Sequence, residues 1–212
     1  FYMSAAAEGQ GSFILINGEA GIGKTHLINT TSRIAEKDGF IVSEIDFKSY
    51  HNFEPYSPFI DLVQKLEHGN SETNQILDQI KKNAVQPDTQ KLDKKDYDAE
   101  LFEKLNSERT ILQQIIVTWL LNASKKRPIF LFLNNLHTVS QTTLQFIHYI
   151  TGKFVDHGIM ICATLRQDGV ESSNDKIPIY ADVVQRMGRE GLITKLHLKR
   201  IKKKHLKEYL NQ

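Results

Sequence analysis

Short apolar runs and helical stripes follow one another along the chain. Residues 13–17 (FILIN) form an apolar run ending at Gly18, and Leu27, Thr31, Ile34 and Ala35 then recur at helical spacing, which predicts strand, loop, helix. Asp38 and Gly39 stop that helix, and residues 40–46 (FIVSEID) read as a second strand with polar residues alternating outward. Residues 47–58 lack a period; a helix is expected over 59–66, with Ser57 as its cap ahead of Pro58. Residues 69–109 are predicted to be an insertion, polar and charged up to about Lys95, helical with an irregular middle around Pro87. Leu101, Leu105, Leu112, Ile115, Ile116 and Trp119 share one face of a long helix ending near Asn122, and 128–133 (PIFLFL) make a third, fully buried strand. Leu144, Ile147, Ile150 and Phe154 mark another helix. A fourth strand is expected at 158–165, a fifth at 192–198 and a closing helix at 202–210. Strands separated by helical segments imply an α/β fold, with a parallel sheet covered on both faces.

Composition narrows this picture a little. With 212 residues, 40% of them hydrophobic and 25% charged, the chain can bury the core of one domain, taken as 1–212. It opens on Phe1, and Ala5 to Ala7 resemble the end of a helix more than a secretion signal, so an excised piece of a longer polypeptide is expected. A net charge of +2 argues against a surface built for polyanions throughout. The lone Cys162 lies in an apolar run and reads as a buried, inert thiol; one cysteine allows no intrachain disulfide or cysteine-rich metal site. No apolar stretch approaches the roughly 20 residues of a membrane helix. A cytoplasmic location without a membrane partner is the expectation.

The chemistry is carried by Gly18, Glu19, Ala20, Gly21, Ile22, Gly23, Lys24 and Thr25, which satisfy G-x-x-x-x-G-K-[ST] in full. A chance match in a chain of this length is on the order of one in a hundred, and the motif also sits where its mechanism needs it, between a strand and an amphipathic helix. Glycines let successive N–H groups converge on phosphate oxygens, and the helix that starts there presents its positive end. Lys24 then reaches the β- and γ-oxygens as a point charge, the Thr25 hydroxyl is a magnesium ligand, and His26 is counted with the loop. The expected ligands are ATP or another purine triphosphate, or ADP, and Mg2+.

A hydrolytic site of this kind ordinarily has an aspartate at the end of a later buried strand, often beside a second acid. Here the third strand ends in Asn134 and Asn135. Asn134 can still accept a hydrogen bond from a metal-bound water, but an amide brings no charge and is no general base, so weak or absent hydrolysis is expected. Asp46, Glu44 and Glu19 are the alternative acids, and spacing favours none of them. His137 is read as a loop residue outside the chemistry. Thr164 and Arg166 close the fourth strand, where a guanidinium can meet a γ-phosphate.

From about Ser12 to Leu210, most weakly over 69–109, these residues resemble the AAA-related ATPase domains of the STAND signalling class, found in MalT-like and LuxR-type transcription regulators and beside some kinase or cyclase modules. GEAGIGKT at 18–25 is spelled as that group commonly spells it, and Pro55 to Phe59 resemble its proline-tyrosine-x-proline-phenylalanine stretch. Strand three with Leu136 and His137 is similar to its strand-Asp-Asp-Leu-His-Trp-Ala-Asp motif, with Asn134 and Asn135 on the two aspartates and Thr138, Val139 and Ser140 on Trp-Ala-Asp. Every acid of that motif is replaced. Thr164 and Arg166 fall on its Thr-x-Arg element, and Leu196, Leu198 and Ile201 on its closing Leu-x-Leu-x-x-Leu, although Arg200 stands where proline is usual. The resemblance implies about five parallel strands in the order 5-1-4-3-2, and a nucleotide-controlled switch acting on other domains of the parent protein; a second copy of the chain is a further candidate partner.

Lysines and Arg200 cluster at 199–207, on a helix with an apolar face of Ile201, Leu206 and Leu210, so a solvated basic face is expected rather than nucleic-acid binding. Three functions stay open: a regulatory nucleotide-binding module, an active ATPase of motor or initiator type using a substitute acid, and a small-molecule or nucleotide kinase. The kinase is least supported, because the seven arginines do not cluster into a lid.

Overall fold

The computed structural model describes residues 1–50, 55–66, 99–166 and 179–200, with the side chains of 99–108, 166 and 179 left outside that description. The chain runs through α1 (Tyr2–Ala7), β1 (Ser12–Gly18), α2 (Lys24–Lys37), β2 (Ile41–Asp46), α3 (Ser57–Leu66), α4 (Ala99–Lys126), β3 (Ile129–Asn134), α5 (Gln141–Phe154), β4 (Ile159–Arg166), α6 (Ile179–Arg189) and β5 (Thr194–His197). Short 3-10 turns follow β2 (Phe47–Tyr50) and β3 (Leu136–Thr138).

The five strands form one sheet in the order β2-β3-β4-β1-β5, and every pairing is parallel. This is the expected order 5-1-4-3-2 read from the other edge. Period-two alternation sorts the strand residues onto two faces. Phe13, Leu15, Ile45, Leu131, Leu133, Ile161 and Ala163 join the core shared with α3, α4, α5 and α6. Ile14, Ile16, Phe130, Phe132, Met160 and Cys162 pack against α1 and α2. With both faces covered, the central strands are continuous apolar runs, which is why 128–133 is so legible in the sequence.

Local chemistry sets the details. α3 starts at Ser57 itself: the Tyr56 carbonyl accepts the N–H groups of Phe59 and Ile60 at 3.0 Å each, so Ser57 is a buried first-turn residue and not the cap. The Tyr56 ring packs edge-on against Phe146, its hydroxyl accepts from Gln113 Nε2 at 2.8 Å, and Thr143 Oγ1 donates to the Pro55 carbonyl at 3.2 Å. The 55–59 stretch thus ties α3 to α4 and α5. Ser140 is the N-cap of α5, accepting the Thr143 N–H at 3.2 Å.

Four further features depart from the sequence-based expectations. α4 continues to Lys126, four residues past the expected end, because Lys125 and Lys126 suit a helix C-terminus and Pro128 is the first residue that cannot extend it. Its buried face is Leu112, Ile116 and Leu120, with Ile115 and Trp119 as half-buried flanks. On β2 only Glu44 turns outward: Ser43 shares a face with Ile45 and is buried, its hydroxyl without a hydrogen-bond partner among the described residues. Finally, α6 had no counterpart among the expected elements, although Val183, Val184 and Met187 are buried at helical spacing. The expected insertion falls within the described residues only at 99–109, which are helical; the rest of it and the closing helix at 202–210 lie outside them.

A close approach and a buried thiol test the packing. A Cβ added at Gly11 would lie 1.9 Å from the carbonyl oxygen of Phe154, a backbone atom that cannot swing away. Gly11→Ala is expected to cost about 2–3 kcal/mol, read as a lower urea midpoint with an unchanged m-value. Burial pushes the Cys162 thiol up to about 12. At pH 8 it should resist a thiol reagent in the folded protein and react fully once denatured; fast native labelling would contradict the packing of β4 on α2.

Candidate nucleotide-binding site

Because the strands are parallel, their carboxyl ends share one edge of the sheet, and the residues leaving β1, β2, β3 and β4 meet there. The register places Gly18 opposite Arg166 and Asp46 opposite Asn134. A cleft of about 400 Å³ opens at this edge, between the loop after β1 and the ends of the other three strands.

One wall is the loop. Gly21 and Gly23 have φ of +75° and +104°, a region that residues with a Cβ rarely enter, and nothing lies within 4 Å of a Cβ added at either. The glycines are therefore required by the backbone path and not by crowding. Gly23 is the N-cap of α2, has no side chain to satisfy the first-turn amides, and is followed by no acid in that turn. The positive end of a 14-residue helix thus faces the cleft. Lys24 folds over the loop, its Nζ donating to the carbonyls of Gly18 at 2.5 Å and Glu19 at 2.8 Å. Thr25 and His26 are exposed on the same wall.

Not every residue of the motif faces the cleft. Gly18 is buried beneath Ile22 and Leu198, and a Cβ there would come within 3.0 Å of the Ile22 side chain. Glu19 turns away to Arg200, accepting from Nε at 2.9 Å and Nη2 at 2.6 Å in an exposed pair of the kind that adds little to stability.

The opposite wall is a polar network. Thr164 Oγ1 donates to Asn134 Oδ1 at 2.7 Å and accepts the Asn135 backbone N–H at 3.1 Å, so one hydroxyl joins β4 to both amide residues. Asn135 has φ of 61°, a left-handed conformation that asparagine tolerates better than most residues. In that conformation its Nδ2 donates to Asp46 Oδ1 at 2.8 Å, and the same oxygen accepts the Lys48 N–H at 3.1 Å. Asp46, Lys48, Asn134, Asn135 and Thr164 all line the cleft.

Of the three alternative acids, then, Asp46 is the one at the site; Glu44 is exposed on β2 and Glu19 is paired outside. Lys48 was not anticipated at all. The pointer to Asp46 was its place as the last residue of a strand adjoining β3. Arg166 has its backbone beside the loop, and its side chain is among those not described. His137 sits in the turn after β3 and is not on the cleft lining. Among the described residues, no three His, Cys, Asp or Glu side chains converge as a metal cluster. A hard divalent ion would find oxygen donors at Thr25, Asp46, Asn134 and Thr164, a set that suits an ion shared with phosphate oxygens.

No curated protein sequence matches this chain. Among solved structures it is similar to AMPPCP-bound DnaA from Aquifex aeolicus (16% identity, TM-score 0.42, 99% of this chain and 48% of that one). It is also similar to a DNA replication initiation factor (19% identity, TM-score 0.43, 99% of this chain and 48% of that one). The chain spans about half the length of these two. The profile of the AAA ATPase domain matches residues 1–154, well over half of the sequence, and includes the whole loop and the β3 end. With its phosphate-type loop set between β1 and α2 on a five-stranded parallel sheet, the chain belongs to the AAA ATPase domain family.

Proposed function

We propose that this domain binds ATP with magnesium on the loop 18–25 and acts as a nucleotide-dependent switch with weak or absent hydrolysis. The observation that carries the reading is the combination of a complete phosphate loop with a β3 end whose two amides are engaged by Thr164 and Asp46. Backbone N–H groups of residues 21–25 receive the phosphates. Lys24 exchanges its two loop carbonyls for β- and γ-oxygens, a trade of neutral for charge-assisted hydrogen bonds. Thr25 and Asn134 face the metal side, His26 lies in the first turn of α2, and Arg166, beside Gly18 in the sheet, is assigned to the γ-phosphate. When bound, magnesium neutralises charge on the phosphate oxygens.

Two amides cannot take a proton from water near neutral pH, so occupancy rather than turnover is the signal. That suits a regulatory domain of the STAND kind, a single nucleotide-binding unit of a larger protein whose output lies in other domains. The second reading, an active ATPase of motor or initiator type, is favoured by one observation, the presence of the Asp46 carboxylate in the cleft.

Equilibrium binding and single-turnover hydrolysis separate the two. Lys24→Ala should weaken ATP binding by about tenfold or more, the value of a charge-assisted contact to phosphate. The unmodified chain should bind ATP and show no appreciable turnover. Appreciable turnover would sink the switch reading in favour of the active one, and ATP binding indifferent to Lys24→Ala would remove the basis of both.

A further inference from the structure

We propose that Asp46, at the end of β2, supplies the negative charge on the metal side of the nucleotide site, one strand away from the β3 position where such sites carry it. This rests on the nucleotide-binding reading above.

Four observations converge on it. Among the described residues, Asp46 is the only carboxylate lining the cleft. The parallel register sets it directly beside Asn134, at the same sheet edge as the loop. Both of its hydrogen bonds, from the Lys48 N–H and from Asn135 Nδ2, fall on Oδ1, and Oδ2 accepts none among the described residues. The carboxylate is therefore oriented from one side with its second oxygen uncommitted. Finally, Asn135 holds its amide against Asp46 in a left-handed backbone conformation, a geometry that requires a donor at that position. Aspartate at 135 would set two carboxylates 2.8 Å apart where the amide now donates. The amide at 135 and the acid at 46 thus form one unit, in which the charge occupies β2 and the donor β3.

Electrostatics gives the unit a function. A carboxylate facing a triphosphate is repulsive unless a cation lies between them, and attractive through that cation when one does. Lys24 is directed to the loop carbonyls, and no ion pair joins the Lys48 ammonium to Asp46 among the described residues. Asp46 therefore makes nucleotide affinity depend on the divalent ion through its charge, a contribution the neutral Asn134 does not make.

The test is the affinity of the full chain for a non-hydrolysable ATP analogue, measured with magnesium and with a chelator, together with the electron paramagnetic resonance signal of Mn2+ in the complex. Asp46→Asn keeps the shape of the side chain and an oxygen for both donors. It should weaken binding with magnesium, strengthen it with chelator, and so lower the ratio of the two affinities by about tenfold, with Mn2+ held in the complex about tenfold more weakly. The exchanged pair Asp46→Asn with Asn135→Asp should restore the ratio. An unchanged ratio and an unchanged affinity for Mn2+ in Asp46→Asn would overturn the assignment while leaving nucleotide binding intact. No binding of the analogue by the unmodified chain under either condition would overturn the nucleotide reading and this inference together.

Discussion

Parallel pairing of strands that are buried on both faces is the constraint on which the rest of this structure depends. Leu15, Phe130, Leu131, Leu133 and Ala163 have no exposed surface, and each large side chain withdrawn from water in this way contributes about 1.5–3 kcal/mol. A slip of one residue in any central strand would exchange its two apolar faces and break the match with the helices on either side. The register is accordingly held tightly, and with it the positions of Gly18, Asp46, Asn134 and Thr164 along one edge. The cleft is a consequence of the packing of the sheet.

At that edge the interior gives way to polar groups that must find partners. Thr164 and Asn135 are buried, and an unpaired polar group at such a depth costs about 1–3 kcal/mol. The network of Thr164 with Asn134, and of Asn135 with Thr164 and Asp46, meets that requirement with neutral groups around a single charge. Two adjacent acids on β3 would leave the Thr164 bonds feasible but would convert the contact with Asp46 from attraction to repulsion. The amides and the β2 carboxylate are physically coupled, and each makes the other sensible.

Much of the fold was legible from the chain itself. The five strands, the loop and the helices α2, α3, α4 and α5 were readable because their apolar residues recur with a period of two or 3.6, and because the loop motif requires a strand before it and a helix after it. The burial of Ser43 and of Ser57 was not legible, for a different reason. A serine is compatible with either face of a strand and with either side of a helix start, so only the packed neighbours decide. The α6 stripe of Val183, Val184 and Met187 is short and set among charged residues, and its significance comes from the α5 surface it covers.

The sequence by itself determined that the chain carries a phosphate-binding loop and that the end of β3 lacks acids, since both are statements about adjacent residues. Which carboxylate lies at the cleft was decided only by the tertiary structure. Asp46 and Asn135 are 89 residues apart, and nothing in local spacing relates them; strand order and register bring them within hydrogen-bonding distance, while sending Glu19 to Arg200 and Glu44 to solvent. Three acids that are equivalent as letters become inequivalent once the sheet assigns each a direction.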